Sequence, residues 1–423
     1  MKKFTFTASL FMLVAGMSFG QGKSPEKRPE HSYGNNGKKP VETPGKGKPA
    51  EKDPKTPDVI ATLGGNTSTV QQEGVGHRAT VNQNGTSNSA AVTQGGGLNV
   101  ANINQVGKSN TAEATQQGWS NIANIKQNEG AENNTAELNQ KGNLNTASQT
   151  QQGRTGIAAH NQTKIDQDGY LNTATQTQQY ESKHSTAYIS QTGTANKAAQ
   201  LQENIYTTNE ASILQEGYLN KAEQTQIQVT GSNKGYIAQN GTLNVASQTQ
   251  SGIYAQNEAS ITQQSSILFG VGVNTASQRQ AMITGNNIAT IQQAGAYNDA
   301  VQLQEFISAT NSAAIEQKGV GNIASQNQKE ITGPNQALIY QEGLRNSAIQ
   351  TQQGIAGNSL ASITQYGIGN EGIQSQLSGS DLTAKLTQRG TGNEAIQYQT
   401  GIGHISTVTQ TGNYNKATVI QSN

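Results

Sequence analysis

From Asn66 to Gln421 the polar and apolar positions follow one seven-residue frame, Asn-x-Ala-x-x-x-Gln, which recurs thirty times. Its closing Gln never varies. Asn99-Ala101-Ile103-Gln105, Asn209-Ala211-Ile213-Gln215 and Asn244-Ala246-Gln248-Gln250 are typical. Residues at offsets 0, 2, 4 and 6 project from one face of a β-strand, whose side chains have a period of two. The same offsets scatter around a helix, and Gly and Asn punctuate the chain about every 11 residues. The pattern predicts thirty short strands that turn Asn, Ala and Gln inward.

The thirty frames form fifteen pairs, and each pair is a unit of about 22 to 24 residues: strand, turn, strand, turn. Position 4 of the first strand is Val, Ile or Leu in fourteen of fifteen units, with Ala114 the exception. The second strand carries Gln there in eleven units, and the others hold Val81, Ile103, Ile125 and Val419. The connection Gln-x-Gly-x-x-Asn, as in Gln215-Glu216-Gly217-Tyr218-Leu219-Asn220, predicts a tight reversal in which Gly supplies positive φ and Asn tolerates similar conformations. The longer spacing from Gln263 to Gln280 predicts a loop insertion over Ser265 to Val271.

Antiparallel hairpins would bring each Asn toward its partner's Gln. Successive coils instead place like on like at roughly 4.8 Å per layer. The expected fold is therefore all-β: a parallel β-solenoid of about fifteen two-strand coils forming two facing sheets. Its amide ladders would run through Asn99, Gln105, Asn145, Gln151, Asn209, Gln215, Asn220, Gln226, Asn244, Gln250, Asn311, Gln317, Asn346 and Gln352. Ile189, Ile213, Ile261, Ile315, Ile339 and Ile363 would form the aliphatic core. One buried Ile contributes roughly 1.5 to 3 kcal/mol, whereas ordering two dozen residues costs roughly 1 to 2 kcal/mol each. A lone unit is therefore unfolded, and stability belongs to the stack.

Composition sets the surroundings. With 32% hydrophobic and 5% aromatic residues the chain lacks material for large globular cores, and the absence of Cys removes disulfides. Residues 1–20 carry Lys2 and Lys3, a short apolar run and small residues, the pattern of a secretory signal; no later segment is long and apolar enough to span a membrane. Residues 21–60 hold seven of the eight prolines and predict a disordered Lys/Pro/Gly-rich linker, leaving 61–423 as the repeat array. Beyond residue 60, 17 basic residues face 21 acidic ones, with no basic stripe for nucleic acid. The five His residues are scattered, and His77 and His404 occupy Asn slots in the frame. No catalytic, cofactor-binding or metal constellation stands out, so a structural role is expected rather than an enzyme.

The first frame, Asn66-Ser68-Val70-Gln72, and the final one, Asn415-Ala417-Val419-Gln421, show no capping segment. Bare ends predict head-to-tail contacts that do not close, hence an open filament. The rival expectation is a soluble solenoid that binds ice or glycan through a flat Thr face, as at Thr173-Thr175-Thr177. Lys221, Glu223, Asp299 and Val301 interrupt that row. Tyr170, Tyr218 and Tyr297 are expected to cover strand ends, and Lys221 and Asp299 to act as gatekeepers against premature pairing.

These residues resemble the curlins, secreted subunits of bacterial curli fibres, whose repeat is similar to Ser-x5-Gln-x-Gly-x-x-Asn-x-Ala-x3-Gln. Ser359-Gln365-Gly367-Asn370-Gln376 fits it with Gly372 in the Ala place, and Gln140-Gly142-Asn145-Ala147-Gln151 matches its second half. The resemblance covers about residues 62 to 423. It implies a two-sheet β-solenoid, export through the periplasm and a curli-type outer-membrane secretion pore, periplasmic chaperones, a nucleator, and assembly into an extracellular homopolymer of the biofilm matrix. This chain departs from the pattern in its longer linker, in the usual Asn opening the first strand, and in its fifteen units.

Overall fold

The computed structural model describes residues 60–61, 65–153, 160–180, 184–265 and 272–423. The expected signal, nearly all of the expected linker and most of the expected insertion lie outside the described residues. Among the described residues there are thirty-one strands, from β1 (Ile60–Ala61) and β2 (Thr67–Val75) through β3 (Arg78–Thr86) to β30 (Ile405–Asn413) and β31 (Lys416–Ser422). Even-numbered strands form a sheet of 15 and odd-numbered strands a sheet of 16, each in strict sequence order and parallel throughout. The chain is a two-sheet β-solenoid.

Register follows the frame. Ile213 lies between Ile189 and Ile237, and Gln215 between Gln191 and Gln239. Stacking one coil on the next therefore preserves every slot. The aliphatic column Ile165, Ile189, Ile213, Ile237, Ile261, Ile291, Ile315, Ile339 and Ile363 is buried in the even-numbered sheet. Ala101, Ala123, Ala147 and their successors pack opposite, small enough to let the sheets approach.

Coil length is not uniform, and the difference has a structural cause. Successive coils are offset by 22 residues at both ends of the array, as at Gln72 to Gln94 and Gln388 to Gln410, but mostly by 24 in the interior. In interior coils the bend after an odd-numbered strand turns an aliphatic side chain inward. Ile205, Val229, Ile253, Ile283, Ile307, Ile331 and Ile355 form a second buried column, which Leu382 completes from an Asn slot. Apart from Leu382, these residues lie outside the seven-residue frame, so the repeat gave no warning of them.

The bends also correct one expectation. Gly does take positive φ, +113° at Gly217, but the Asn of Gln-x-Gly-x-x-Asn is not a turning residue. The left-handed residue is the one before it, such as Leu144, Leu171, Leu219 or Leu243. The Asn that opens the frame does not take this conformation, because its side chain is committed elsewhere; before Asn134 the left-handed residue is itself an Asn, Asn133.

Candidate functional site: amide rails and end coils

Each closing Gln donates from Nε2 to Oε1 of the Gln one coil further on. One such rail runs unbroken from Gln72 to Gln410 through the even-numbered sheet. A second runs from Gln83 to Gln421 and includes Gln105, Gln151, Gln226, Gln250 and Gln352. The Gln residues at position 4 make a third, from Gln149 to Gln397, where two ladders of closing Gln had been expected.

A glutamine suits this slot because its amide has two donors and a long stem. The second N–H of Gln215 reaches the Lys197 carbonyl at 3.0 Å, and that of Gln250 the Lys234 carbonyl at 3.4 Å, so the rails also tie one sheet to the other. Replacing Gln250 by Leu keeps the volume but leaves a donor of Gln226 and the Oε1 of Gln280 without partners. With each orphaned buried group costing about 1 to 3 kcal/mol, the expected loss is roughly 2 to 6 kcal/mol. Amide hydrogen exchange should show it as opening confined to the neighbouring coils.

The asparagine columns bind both side chains and backbone: in the odd-numbered sheet Asn220 Nδ2 donates to Asn196 Oδ1 at 3.1 Å and Asn244 Nδ2 to Asn220 Oδ1 at 3.0 Å, a side-chain ladder running back toward the lower-numbered coils. Asn99 Oδ1 accepts the backbone N–H of Asn121 at 2.9 Å, and Asn99 Nδ2 donates to the Gly118 carbonyl at 2.9 Å. Asn145, Asn220, Asn244 and Asn346 likewise accept or extend this chain from coil to coil. In the other sheet Asn209 and Asn311 donate to their own bend carbonyls, Thr207 and Ala309, while Asn209 Oδ1 takes the Asn233 N–H. Asn is thus a clamp on the bend backbone. Ile189, Ile213, Ile261, Ile315, Ile339 and Ile363 are all buried within the aliphatic column.

The rails have a direction. Every Gln-to-Gln bond donates toward the higher-numbered coil, so each rail is a head-to-tail line of amide dipoles. At one end Gln72 donates onward to Gln94, with its Oε1 facing the free edge. At the other, Gln410 and Gln421 accept from Gln388 and Gln399, and their amide N–H groups bond the Glu394 and Ile405 carbonyls.

The end coils match each other more closely than either matches the interior. Both are 22-residue coils, and both are aliphatic at position 4 of each strand: Val70 and Val81 at one end, Val408 and Val419 at the other. The third rail stops short of both. Asn66 clamps the Asn88 N–H at 2.9 Å, and Asn415 bonds Asn393 through its own N–H at 3.1 Å. Among the described residues nothing pairs with the far edges of β2, β30 or β31. The low-numbered edge of β3 is not bare as expected, because β1 lies on it.

Backbone direction completes the geometry. In a parallel ladder successive residues bond alternately to the two neighbouring strands. Glu394, which faces outward, sends its N–H to the Asn415 carbonyl of the following coil. Outward-facing residues therefore bond forward and inward-facing ones backward. The high-numbered edge presents free N–H and C=O groups of Thr407, Thr409, Thr418 and Ile420.

The outer faces carry scattered ion pairs. Glu137 and Lys164 lie 2.9 Å apart across adjacent coils; this bond lowers the Glu137 pKa and raises that of Lys164. The Glu137 contribution is present above its unfolded value, near 4.5, and disappears as pH falls through the lowered folded value. In Lys164→Met the Glu137 carboxyl titration, followed by NMR, should move back up. Among the described residues no group of His, Cys, Asp or Glu could hold a metal ion, and no helix is long and apolar enough to cross a membrane.

Two stacked parallel sheets tied by internal amide rails define a tandem-repeat β-solenoid. The chain matches the model of the curlin associated repeat at residues 65–96, 357–390 and 379–422, which supports assignment to the curlin family. The matched segments include the 22-residue coils at both ends. No curated protein matches the chain.

Proposed function

We propose that the protein is the structural subunit of an extracellular curli-like fibre, built by adding the high-numbered coil of one copy to the low-numbered coil of the next. The observation that carries this reading is the one-way direction of the rails. The donor-facing amide at Gln410 would meet the acceptor at Gln72, whereas two like ends would oppose donor to donor or acceptor to acceptor. Matched slots support the same contact. Val408 would lie over Val70 and Val419 over Val81, so no buried amide would face an aliphatic column.

Such a junction repeats without closing and gives an open filament. By family resemblance the subunit leaves through a curli-type outer-membrane pore, attended by periplasmic chaperones, and a surface nucleator starts growth. Asn66, Val70, Gln72, Asn415, Val419 and Gln421 are the assembly residues of this scheme. Purified protein incubated with sonicated fibre seeds, followed by thioflavin fluorescence and electron microscopy, should elongate the seeds into unbranched fibres. Protein that stays monomeric at high concentration with seeds present would overturn the reading.

A further inference from the structure

We propose that the bends along one edge of the solenoid, from Leu98 to Leu243, form a surface on which a second copy of this chain docks side by side and antiparallel. The residue that follows each even-numbered strand takes positive φ, and over seven successive coils that slot reads Leu-Ser-Leu-Leu-Ala-Leu-Leu. Elsewhere the slot holds Gly76, Gly321, Gly369 and Gly392, as the conformation favours. Leucine there costs conformational energy that burial does not return, since Leu98 is 54% exposed, Leu144 42%, Leu171 45% and Leu219 39%. Nor can the slot relax. Each residue in it is tied to the coil before, as Leu144 N–H is to the Trp119 carbonyl at 2.9 Å and Leu243 N–H to the Tyr218 carbonyl at 3.0 Å. A row of strained, exposed apolar side chains is the mark of a surface that a partner covers.

The order of residues identifies that partner as a second copy. With Leu171 placed against Leu171 of an antiparallel copy, Ser120 faces Leu219 and Ala195 faces Leu144, so each small side chain receives a leucine. Leu98 faces Leu243. The adjoining row, made of the last residue of each of the same strands, obeys the same symmetry: Tyr170 meets Tyr170, Trp119 meets Tyr218, and Asn143 meets Thr194. Aromatic meets aromatic, and polar meets polar. A parallel copy turned about the long axis would instead set one row on the other, with Asn143 and Thr242 against leucine. Such self-matching belongs to a two-fold interface, in which residue i meets j and j meets i. Neither row holds a charged residue between Gly97 and Leu243, whereas Arg345 and three glycines break the same slot in the second half of the array.

Spacing and area support the same partner. Both copies repeat at about 4.8 Å per layer, so one aligned contact aligns all seven. Covering the seven exposed apolar side chains, with Trp119, Tyr170 and Tyr218 at 53, 44 and 48%, buries about 700 Å² per copy, near the roughly 800 Å² of a standard interface. The pairing relates copies lying side by side and does not depend on the head-to-tail reading. Along a filament copies still follow one another in one direction, and two filaments joined by this edge run in opposite directions.

Trp119 is the single Trp of the chain, so the surface carries its own probe. Freshly purified full chain, followed by sedimentation velocity before any thioflavin signal, should form dimers at micromolar concentration, with Trp119 better shielded from acrylamide than after dilution. Leu171→Asn, which suits the left-handed slot, should raise the dimer dissociation constant roughly thirtyfold or more without lowering the unfolding midpoint. Tyr297→Asn, in the same slot outside the surface, should leave that constant unchanged. The chain has no Cys, so S120C and L219C chains mixed under mild oxidation should link to each other and neither to itself. A wild type that stays monomeric, L171N that pairs as the wild type does, or S120C that links to itself in preference to L219C would overturn the proposal. Trp119 shielded at every dilution would assign the surface to another segment of the same chain and overturn it equally.

Discussion

A chain carrying Thr409→Pro together with Ile420→Pro should fold as a normal monomer and fail to elongate fibres. Both residues face outward on the high-numbered edge, Thr409 opposite Thr387 and Ile420 opposite Tyr398. By the alternation of the parallel ladder, their N–H groups point away from the chain's own sheets, so proline removes no bond that the monomer makes. It does remove a donor from each strand at the junction and places a ring where the next coil must approach. Proline is tolerated on a sheet edge for the same reason that it blocks further pairing there.

Two unsatisfied junction acceptors, at about 1 to 3 kcal/mol each, correspond to a growth rate lower by roughly thirtyfold or more. Thermal unfolding monitored by circular dichroism should be close to wild type, while seeded thioflavin growth stays flat. The matched control Thr409→Val with Ile420→Val keeps both N–H groups and should elongate normally. Growth of the proline variant at the wild-type rate would mean that this edge is not the growing one.

The second large effect lies inside the array. Gly343 sits at φ +126°, and a Cβ built on it would come within 2.0 Å of the Gly367 carbonyl oxygen in the next coil. The obstacle is backbone held by its own ladder, so nothing can swing aside. Gly343→Ala combines that clash with a conformation that L-residues avoid, and it should destabilise its coil and the neighbouring one by roughly 3 kcal/mol or more.

Gly369 provides the contrast. Its φ is +61°, and a Cβ there would meet nothing within 4 Å. Gly369→Ala should therefore cost only about 1 to 2 kcal/mol, the ordinary left-handed penalty. Because coils touch only their neighbours, the damage in Gly343→Ala should appear in hydrogen exchange as fast amides around residues 343 and 367, with coils near either end unchanged. A uniform loss of protection along the chain would contradict nearest-neighbour stability.

The sequence shows the solenoid plainly, because the physics that selects each slot acts identically thirty times. Ile213 and Gln215 occupy inward slots of one strand, and a period-two frame admits few other arrangements. Coil length, sheet number and like-on-like register all follow from that frame. What lay hidden was what does not repeat within it. The column from Ile205 to Ile355 sits beyond the closing Gln, where position-by-position comparison had no reason to look.

Other features could not be read from residue identity at all. Gln is a donor and an acceptor at once, so its recurrence predicts a ladder but not which way the ladder runs; the direction appears only when each Nε2 is seen to face the following coil. Asn was expected to turn the chain, a role it often takes. Here Asn220 spends its side chain on the Asn196 Oδ1 and the Gly241 carbonyl, and Leu219 takes the left-handed conformation instead.

These features bear on how a long array joins its copies. A stack of fifteen coils buries most of its rail amides within one chain, so each junction in the proposed fibre would resemble an internal coil-to-coil step. In that proposed junction the terminal 22-residue coils and their paired valines would match one another slot for slot, as they would not match an interior coil. Registration errors at a junction are thereby disfavoured, since a slip of one residue would turn every inward side chain out.

Electron cryomicroscopy of fibres grown from the full chain tests the central claim most directly. The account predicts a polar filament with an axial rise of roughly 70 Å per subunit, fifteen layers at about 4.8 Å each, in which Gln410 of one copy lies one layer from Gln72 of the next and that rail continues across the boundary. Subunits related by a two-fold axis, or end coils separated by more than one layer, would contradict it.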